Sequence, residues 1–201
     1  MGDNAFSSCY LSDLCNTEHS GYISCEEPVE EPVGETVEEP CLEETGHICF
    51  LGNEKVQTDQ GKIRFDKLTT ANTIFKKKIK KVTRVINSEN SIIFIHKHAL
   101  GKKVPTKNMY ISRNHGIYLD SSFVETHNLV QEIEPLNYSI PGKCIVRARN
   151  LLKLPNFTEI FRKKDPLYNV LQAKHGKMIV NGLVCETLHP YHRIAQNYFP
   201  N

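Results

Sequence analysis

The stretch GHICFLGNEKVQTDQGKI, residues 46–63, joins two chemically different polymers at Cys49. Upstream, residues 1–48 hold 12 Asp and Glu and no Lys or Arg, a net −12; downstream, residues 49–201 hold 25 Lys and Arg against 11 Asp and Glu, a net +14. The overall charge of +2 conceals that asymmetry. Residues 25–44 (CEEPVEEPVGETVEEPCLEE) repeat Glu-Glu-Pro and offer almost nothing apolar to bury. Such a segment cannot offset its own ordering entropy and is expected to be a disordered acidic tail. The chain from Cys49 onward is long enough for one domain with its own core. The expected boundaries are therefore 1–48 for the tail and 49–201 for the domain.

No apolar run approaches the length of a membrane helix. The first 25 residues lack the basic start and apolar stretch of a signal peptide. The seven cysteines show no regular spacing. Cys9, Cys15, Cys25 and Cys41 form no C-x-x-C pair, so neither a zinc site nor a disulfide framework is indicated. Free thiols in a reducing compartment are the expected state.

Downstream of Cys49 the pattern is mostly that of strands. Residues 55–65 (KVQTDQGKIRF) alternate on both sides of Asp59-Gln60-Gly61, a hairpin signal. Residues 91–98 (SIIFIHKH) predict one strand with Ile92, Phe94, His96 and His98 on one face. Residues 109–119 (MYISRNHGIYL) are apolar at both ends around Ser112-Arg113-Asn114-His115. Leu167–Val170 is a short apolar run. Residues 178–187 (MIVNGLVCET) predict a hairpin at Asn181-Gly182, the strongest turn signal in the chain. RARNLLKL, residues 147–154, fits a single helical turn. In FKKKIKKVTRVI, residues 75–86, Phe75, Ile79, Val82 and Ile86 have helical spacing, but the β-branched Val82–Ile86 favours a strand. Short strands, many turns and little helix indicate an all-β domain.

The candidate functional groups have ordinary uses as well. A cysteine followed by phenylalanine, as at Cys49, is commonly a packing residue. His96 and His98, two apart on the predicted strand, suit a metal only if further ligands join them; no metal and no cofactor is expected. Lys76, Lys77, Lys78, Lys80 and Lys81 form a basic run able to contact phosphates. Lysines on a strand edge also block aggregation. With only Phe75 as an interleaved aromatic, nucleic acid is the weakest reading of that run. No phosphate-binding glycine loop and no G-x-S-x-G elbow is present.

Taken in order, these pieces form a pattern. Cys49-Phe50 leads into Val56-x-Thr58-x-x-Gly61, then Ile63 and Leu68. Gly101 to Pro105 precedes Ser112-x-x-His115, and Tyr168-Asn169-Val170-Leu171 comes before His175, Asn181-Gly182 and Glu186. Over about residues 49–190 this resembles the Hint (Hedgehog/intein) family, most closely its bacterial and viral branch. The resemblance implies a horseshoe-like all-β domain with pseudo-twofold symmetry. It also implies cytoplasmic or virion-associated self-processing.

In that family the first cysteine attacks the preceding carbonyl. Here that makes Ile48–Cys49 the scissile bond, Cys49 the nucleophile, and the protein's own N-terminal segment the substrate. Ser112 and His115 match the motif that contacts the scissile amide, and His115, with an ordinary pKa near 6.5, is the expected proton donor to the leaving nitrogen. His175 matches a late histidine of inteins and is expected as a second proton-transfer group. Asn169 stands where many inteins carry Asp. Inteins end in His-Asn for asparagine cyclisation, and Cys185-Glu186 stands in that place, so cleavage without splicing is implied. With no sterol-delivering region after the match, water or a small thiol is the expected acyl acceptor. The alternative from another class is a catalytically silent Hint-fold scaffold, docked through its basic face.

Overall fold

The acidic stretch gives way to a two-residue strand set at the centre of a sheet. The computed structural model describes residues 48–134 and 140–198. Among these the strands are β1 Phe50–Leu51, β2 Lys55–Thr58, β3 Gly61–Arg64, β4 Thr73–Ile74, β5 Lys77–Lys78, β6 Lys81–Ile86, β7 Ser91–Ile95, β8 Met109–Ile111 and β9 Gly116–Asp120. They continue with β10 Lys143–Arg147, β11 Phe157–Phe161, β12 Pro166–Leu171, β13 Lys177–Val180 and β14 Leu183–Glu186. Two short helices, α1 Ser121–Thr126 and α2 Arg193–Gln196, accompany them. The domain is all-β, and among the described residues no helix is long and apolar enough to cross a membrane. The acidic tail and Cys9, Cys15, Cys25 and Cys41 lie outside the described residues.

Two six-stranded sheets make the frame. The first runs β11-β7-β8-β1-β12-β6 and the second β10-β9-β14-β13-β2-β3; β4 and β5 pair only with each other. Every ladder pair in both sheets is antiparallel. Phe50 pairs with Ile111 on β8 and with Tyr168 on β12. The residues that follow those two partners, Ser112 and Asn169, are thereby brought beside Cys49. The chain then leaves β8, turns through residues 112–115 and enters β9 of the second sheet, where Ile117 pairs with Cys185 of β14. The turn carrying Ser112 and His115 thus spans the two sheets.

Two apolar clusters hold the frame. The larger includes Phe50, Val56, Phe65, Ile93, Ile95, Ile111, Ile117, Met178 and Cys185. The smaller gathers Ile48, Cys49, Leu51, Ile92, Leu167, Leu171, Leu188, Ile194 and Ala195. Full burial of such an aliphatic side chain is worth about 1.5–3 kcal/mol. The residues flanking the expected scissile bond are therefore part of a core.

Both predicted hairpins form. Thr58 pairs with Gly61 across Asp59-Gln60, and Val180 pairs with Leu183 across Asn181-Gly182. Asn181 and Gly182 have φ of +49° and +87°, the doubly positive pair that the favoured two-residue turn demands. Residues 81–86 take the strand form, and residues 148–153 the predicted helical turn. The strand at residue 91 is shorter than predicted. It ends at Ile95, and His98 takes φ +66° in the turn that follows. His96 and His98 consequently share no strand face. Ile92, Ile93 and Ile95 are all buried, so both faces of β7 are covered. β10, β11 and α1 were not predicted.

Candidate active site

The Ile48–Cys49 peptide is gripped at both of its polar atoms. The Cys49 amide donates to Ser112 Oγ at 2.7 Å, and the Ser112 amide donates back to the Cys49 carbonyl at 2.9 Å. On the other side of β1, Asn169 Nδ2 donates to the Ile48 carbonyl oxygen. Asn169 is fully buried, and its Oδ1 accepts from the Val170 amide at 2.7 Å. That second bond fixes which end of the side-chain amide faces Ile48. Ser112 sits at the end of β8 and Asn169 in the middle of β12, so both positions follow from the pairing of Phe50.

His115 closes the same turn, its amide donating to the Ser112 carbonyl at 3.2 Å. Its ring packs against Phe50 with centroids 4.3 Å apart. Nε2 lies 3.1 Å from the Glu186 carbonyl. A carbonyl only accepts, so Nε2 carries the hydrogen and Nδ1 presents a lone pair. That Nδ1 is buried and has no hydrogen-bond partner among the described residues.

Burial pushes the His115 imidazole down to about 4, against the opposing pull of the Glu186 charge. The ring is therefore neutral at physiological pH. The proton donor expected from the sequence begins as an acceptor, because desolvation of the imidazolium outweighs its partners. Burial, helped by the charge of Glu89, pushes the Cys49 thiol well above its ordinary range. The resting cysteine is a buried thiol, not a thiolate.

Behind His115 stands a carboxylate. Burial alone would raise Glu186, but His175, the Arg147 guanidinium, His115 and the Gly116 amide outweigh it and hold the group at about 2. Glu186 Oε1 accepts from Gly116 N at 2.8 Å and from Arg147 Nη1 at 2.7 Å. Gly116 permits that approach: a Cβ there would sit 2.8 Å from Glu186 Oε1. His175 Nε2 lies 3.3 Å from Glu186 Oε2, an ion-pair distance off hydrogen-bonding geometry. The His175 ring stands 4.9 Å from that of His189. His175 thus meets the site through Glu186.

The turn is clamped from β10 and the helical residues after it. Arg147 Nη1 donates to the Asn114 carbonyl at 2.8 Å and Arg149 Nη1 to Asn114 Oδ1 at 2.6 Å. The amides of Ala148 and Arg149 donate to the carbonyls of His115 and Arg113 at 3.0 and 2.9 Å. The structure thus brings Ile48, Cys49, Ser112 and His115 together, with His175 one layer behind. The parts not foreseen are the Asn169 donor and the Arg147 and Arg149 clamp. An Asn in place of Asp was the available signal for the first, since the exchange turns an acceptor into a donor. The lysine run spans the end of the β4–β5 turn, β5, the β5–β6 connection and the start of β6.

A buried cysteine heads the central strand of an all-β domain, its own amide held by a Ser-x-x-His turn. The model of the Hint domain family matches residues 48–192, and the chain belongs to that family. Among solved structures it is similar to the bacterial intein-like domain from Clostridium thermocellum. The identity is 8%, the match covers 70% of this chain and 99% of that one, and the TM-score is 0.44. It is also similar to a GSH-linked, splice-inactive variant of the AceL NrdHF class 3 split intein, at 12% identity over 71% of this chain and 99% of that one, with a TM-score of 0.41. No curated protein matches the chain.

Proposed function

We propose that the domain cleaves its own Ile48–Cys49 peptide bond by an N-to-S acyl shift followed by thioester release, without splicing. The observation that carries this reading is the grip on both polar atoms of one buried peptide, the Ile48 oxygen by Asn169 and the Cys49 nitrogen by Ser112. Those two contacts fall on the carbonyl that would be attacked and on the nitrogen that would leave.

The chemistry follows from the protonation states. Cys49 Sγ adds to the Ile48 carbonyl carbon, and the thiol proton passes to His115 Nδ1, a neutral base. Negative charge then gathers on the Ile48 oxygen, where the Asn169 amide already points. One such donor is typically worth about 10²–10³-fold in rate. The His115 proton moves to the Cys49 nitrogen, directly or through the Ser112 hydroxyl, and the C–N bond breaks. The products are an Ile48–S–Cys49 thioester and a free α-amine. A nucleophile then takes the acyl group, the C–S bond breaks, and Cys49 regains its thiol. Glu186 positions His115 through its carbonyl and His175 through its carboxylate.

Incubation with dithiothreitol or hydroxylamine is expected to release a fragment beginning at Cys49, and Cys49→Ala to abolish it. His115→Ala is expected to slow release by about 10²–10⁴-fold, with the exposed His127→Ala as control. Cleavage by Cys49→Ala at the wild-type rate, or equal effects of the two histidine changes, rules the mechanism out. The burial of the Cys49 thiol favours a second reading, a silent Hint scaffold. The same experiment separates the two, since a scaffold releases nothing.

A further inference from the structure

The scissile bond is sealed, and the seal is uneven. Cys49 is fully buried and Ile48 nearly so, so no external nucleophile reaches a thioester formed there unless something moves. β1 itself is held by ladders to β8 and β12 on both sides. The segment after residue 192 is held differently. The family match ends at residue 192, and the chain then forms α2, only four residues long. A helix of that length has no stability of its own. Ile194 and Ala195 pack in the same apolar cluster as Ile48 and Cys49. Beyond α2, the Tyr198 hydroxyl accepts from the Arg84 amide at 3.3 Å and donates to the Arg84 carbonyl at 3.1 Å. Those two groups lie on β6, at the end of the strand order. The Lys81 ammonium sits 5.1 Å from the centre of the Tyr198 ring. Two apolar anchors and one tyrosine clasp thus close the cluster, with no backbone ladder among the described residues.

We propose that residues 193–198 are a strap over the Ile48–Cys49 bond, and that the acyl acceptor enters where it lifts. At the foot of the strap is a cavity of about 250 Å³ lined by Lys80, Leu171, Pro190, Tyr191 and Gln196, among others. Leu171, in the wall of that cavity, belongs to the same apolar cluster as Cys49, and Gln196 of the strap lines it as well. That volume admits a small nucleophile and excludes a folded partner. The Lys80 ammonium favours an anionic attacker, a small thiolate or hydroxide. For a thiolate RS⁻, the sulfur bonds to the Ile48 carbonyl carbon, the C–S bond to Cys49 breaks, and the Cys49 thiolate takes up a proton. Local opening of weakly anchored segments of this kind is the ordinary route of access to buried groups.

The role of the strap rests on the proposed acyl shift, but its opening is measured without cleavage. The full chain, Ile194→Ala and Tyr198→Phe are treated with iodoacetamide, and alkylation of Cys49 and Cys185 is followed by peptide mass spectrometry. Cys185 is equally buried but lies in the other cluster, so it reports global unfolding. The expected result is a rise of about tenfold in Cys49 labelling with Cys185 unchanged, a shift of about 1.4 kcal/mol in the opening equilibrium. Parallel rises at both cysteines make the segment an ordinary part of the core, and no rise at Cys49 places the access route elsewhere; either overturns the proposal. Tyr198→Phe keeps the ring and removes only the clasp, so the comparison survives if Ile194→Ala fails to fold. In the wild type, 2-mercaptoethanesulfonate is expected to release the fragment at least tenfold faster than a cysteine-containing decapeptide. Equal rates contradict the size limit. Selective Cys49 labelling without thiol-dependent cleavage in any variant supports the strap and sinks the acyl shift.

Discussion

Asn169 offers the sharpest test among single side chains. Its Nδ2 faces the oxygen on which charge must gather, and its Oδ1 is pinned by the Val170 amide. Asn169→Ala is expected to slow thiol-dependent cleavage by about 10²–10³-fold. Asn169→Asp is expected to do at least as much harm, because a carboxylate beside the Ile48 oxygen repels the developing charge. A single-turnover time course at wild-type rate for either variant contradicts the oxyanion role. His115 makes a separate prediction about pH. Its folded pKa, about 4, lies below the ordinary imidazole value of 6.5, so the unfolded chain binds the proton first as pH falls. Stability from the neutral ring is complete above pH 6.5 and is lost between 6.5 and 4, by about 3 kcal/mol. Glu186, held at about 2 from an ordinary carboxyl value of 4.5, adds a second loss as pH falls from 4.5 toward 2. Urea titrations at pH 7 and pH 4.5 check this, and His115→Gln is expected to flatten the upper window. The grouping of Cys49, Ser112 and His115 was legible only through the order of motifs that resembles the Hint family, since each residue alone has commoner structural uses. The protonation of His115 was not, because burial is a property of the packed molecule, and the use of Asn169 appears only once the Ile48 carbonyl is seen beside it.

The turn from β8 into β9 works only if Glu186 of β14 approaches the backbone at Gly116. An alanine there would bring its Cβ to 2.8 Å from Glu186 Oε1 and 3.0 Å from Ile145 Cγ2. Glu186 is held by Arg147, so the contact is not relieved by a simple rotation. Gly116→Ala is expected to destabilise the fold by about 1–3 kcal/mol, read as a lower urea midpoint at unchanged m-value. It is also expected to slow cleavage by displacing the carbonyl that orients His115. A variant with the wild-type midpoint shows that Glu186 yields easily and is no fixed support. The elements with strong local chemistry were readable: Asn181-Gly182 dictates its hairpin, and β-branched residues carry β6. β10 and β11 were not, because nothing in Lys143–Arg147 or Phe157–Phe161 announces a partner strand. Their pairing with β9 and β7 is a decision of tertiary structure. β7 ends early for the same reason: the His96 amide still reaches the Asn156 carbonyl beside β11, but the His98 amide turns to the Pro105 carbonyl.

The molecule joins a segment of net −12 to a domain of net +14, and the join coincides with the peptide that the fold holds at both ends. The order of weak motifs along the chain carried the all-β Hint reading, and the family match over residues 48–192 bears it out. The pairing of the two-residue strand β1 with β8 and β12 is what brings the residues of those motifs beside Cys49. The most direct test of self-processing at that join is the intact mass of the full chain before and after incubation with a small thiol at neutral pH. The account predicts that the full-length mass is replaced by two products, residues 1–48 ending in an acyl-thiol adduct or its hydrolysis product, and residues 49–201 with a free amino-terminal cysteine. A single unchanged mass after prolonged incubation, with the domain still folded, contradicts it.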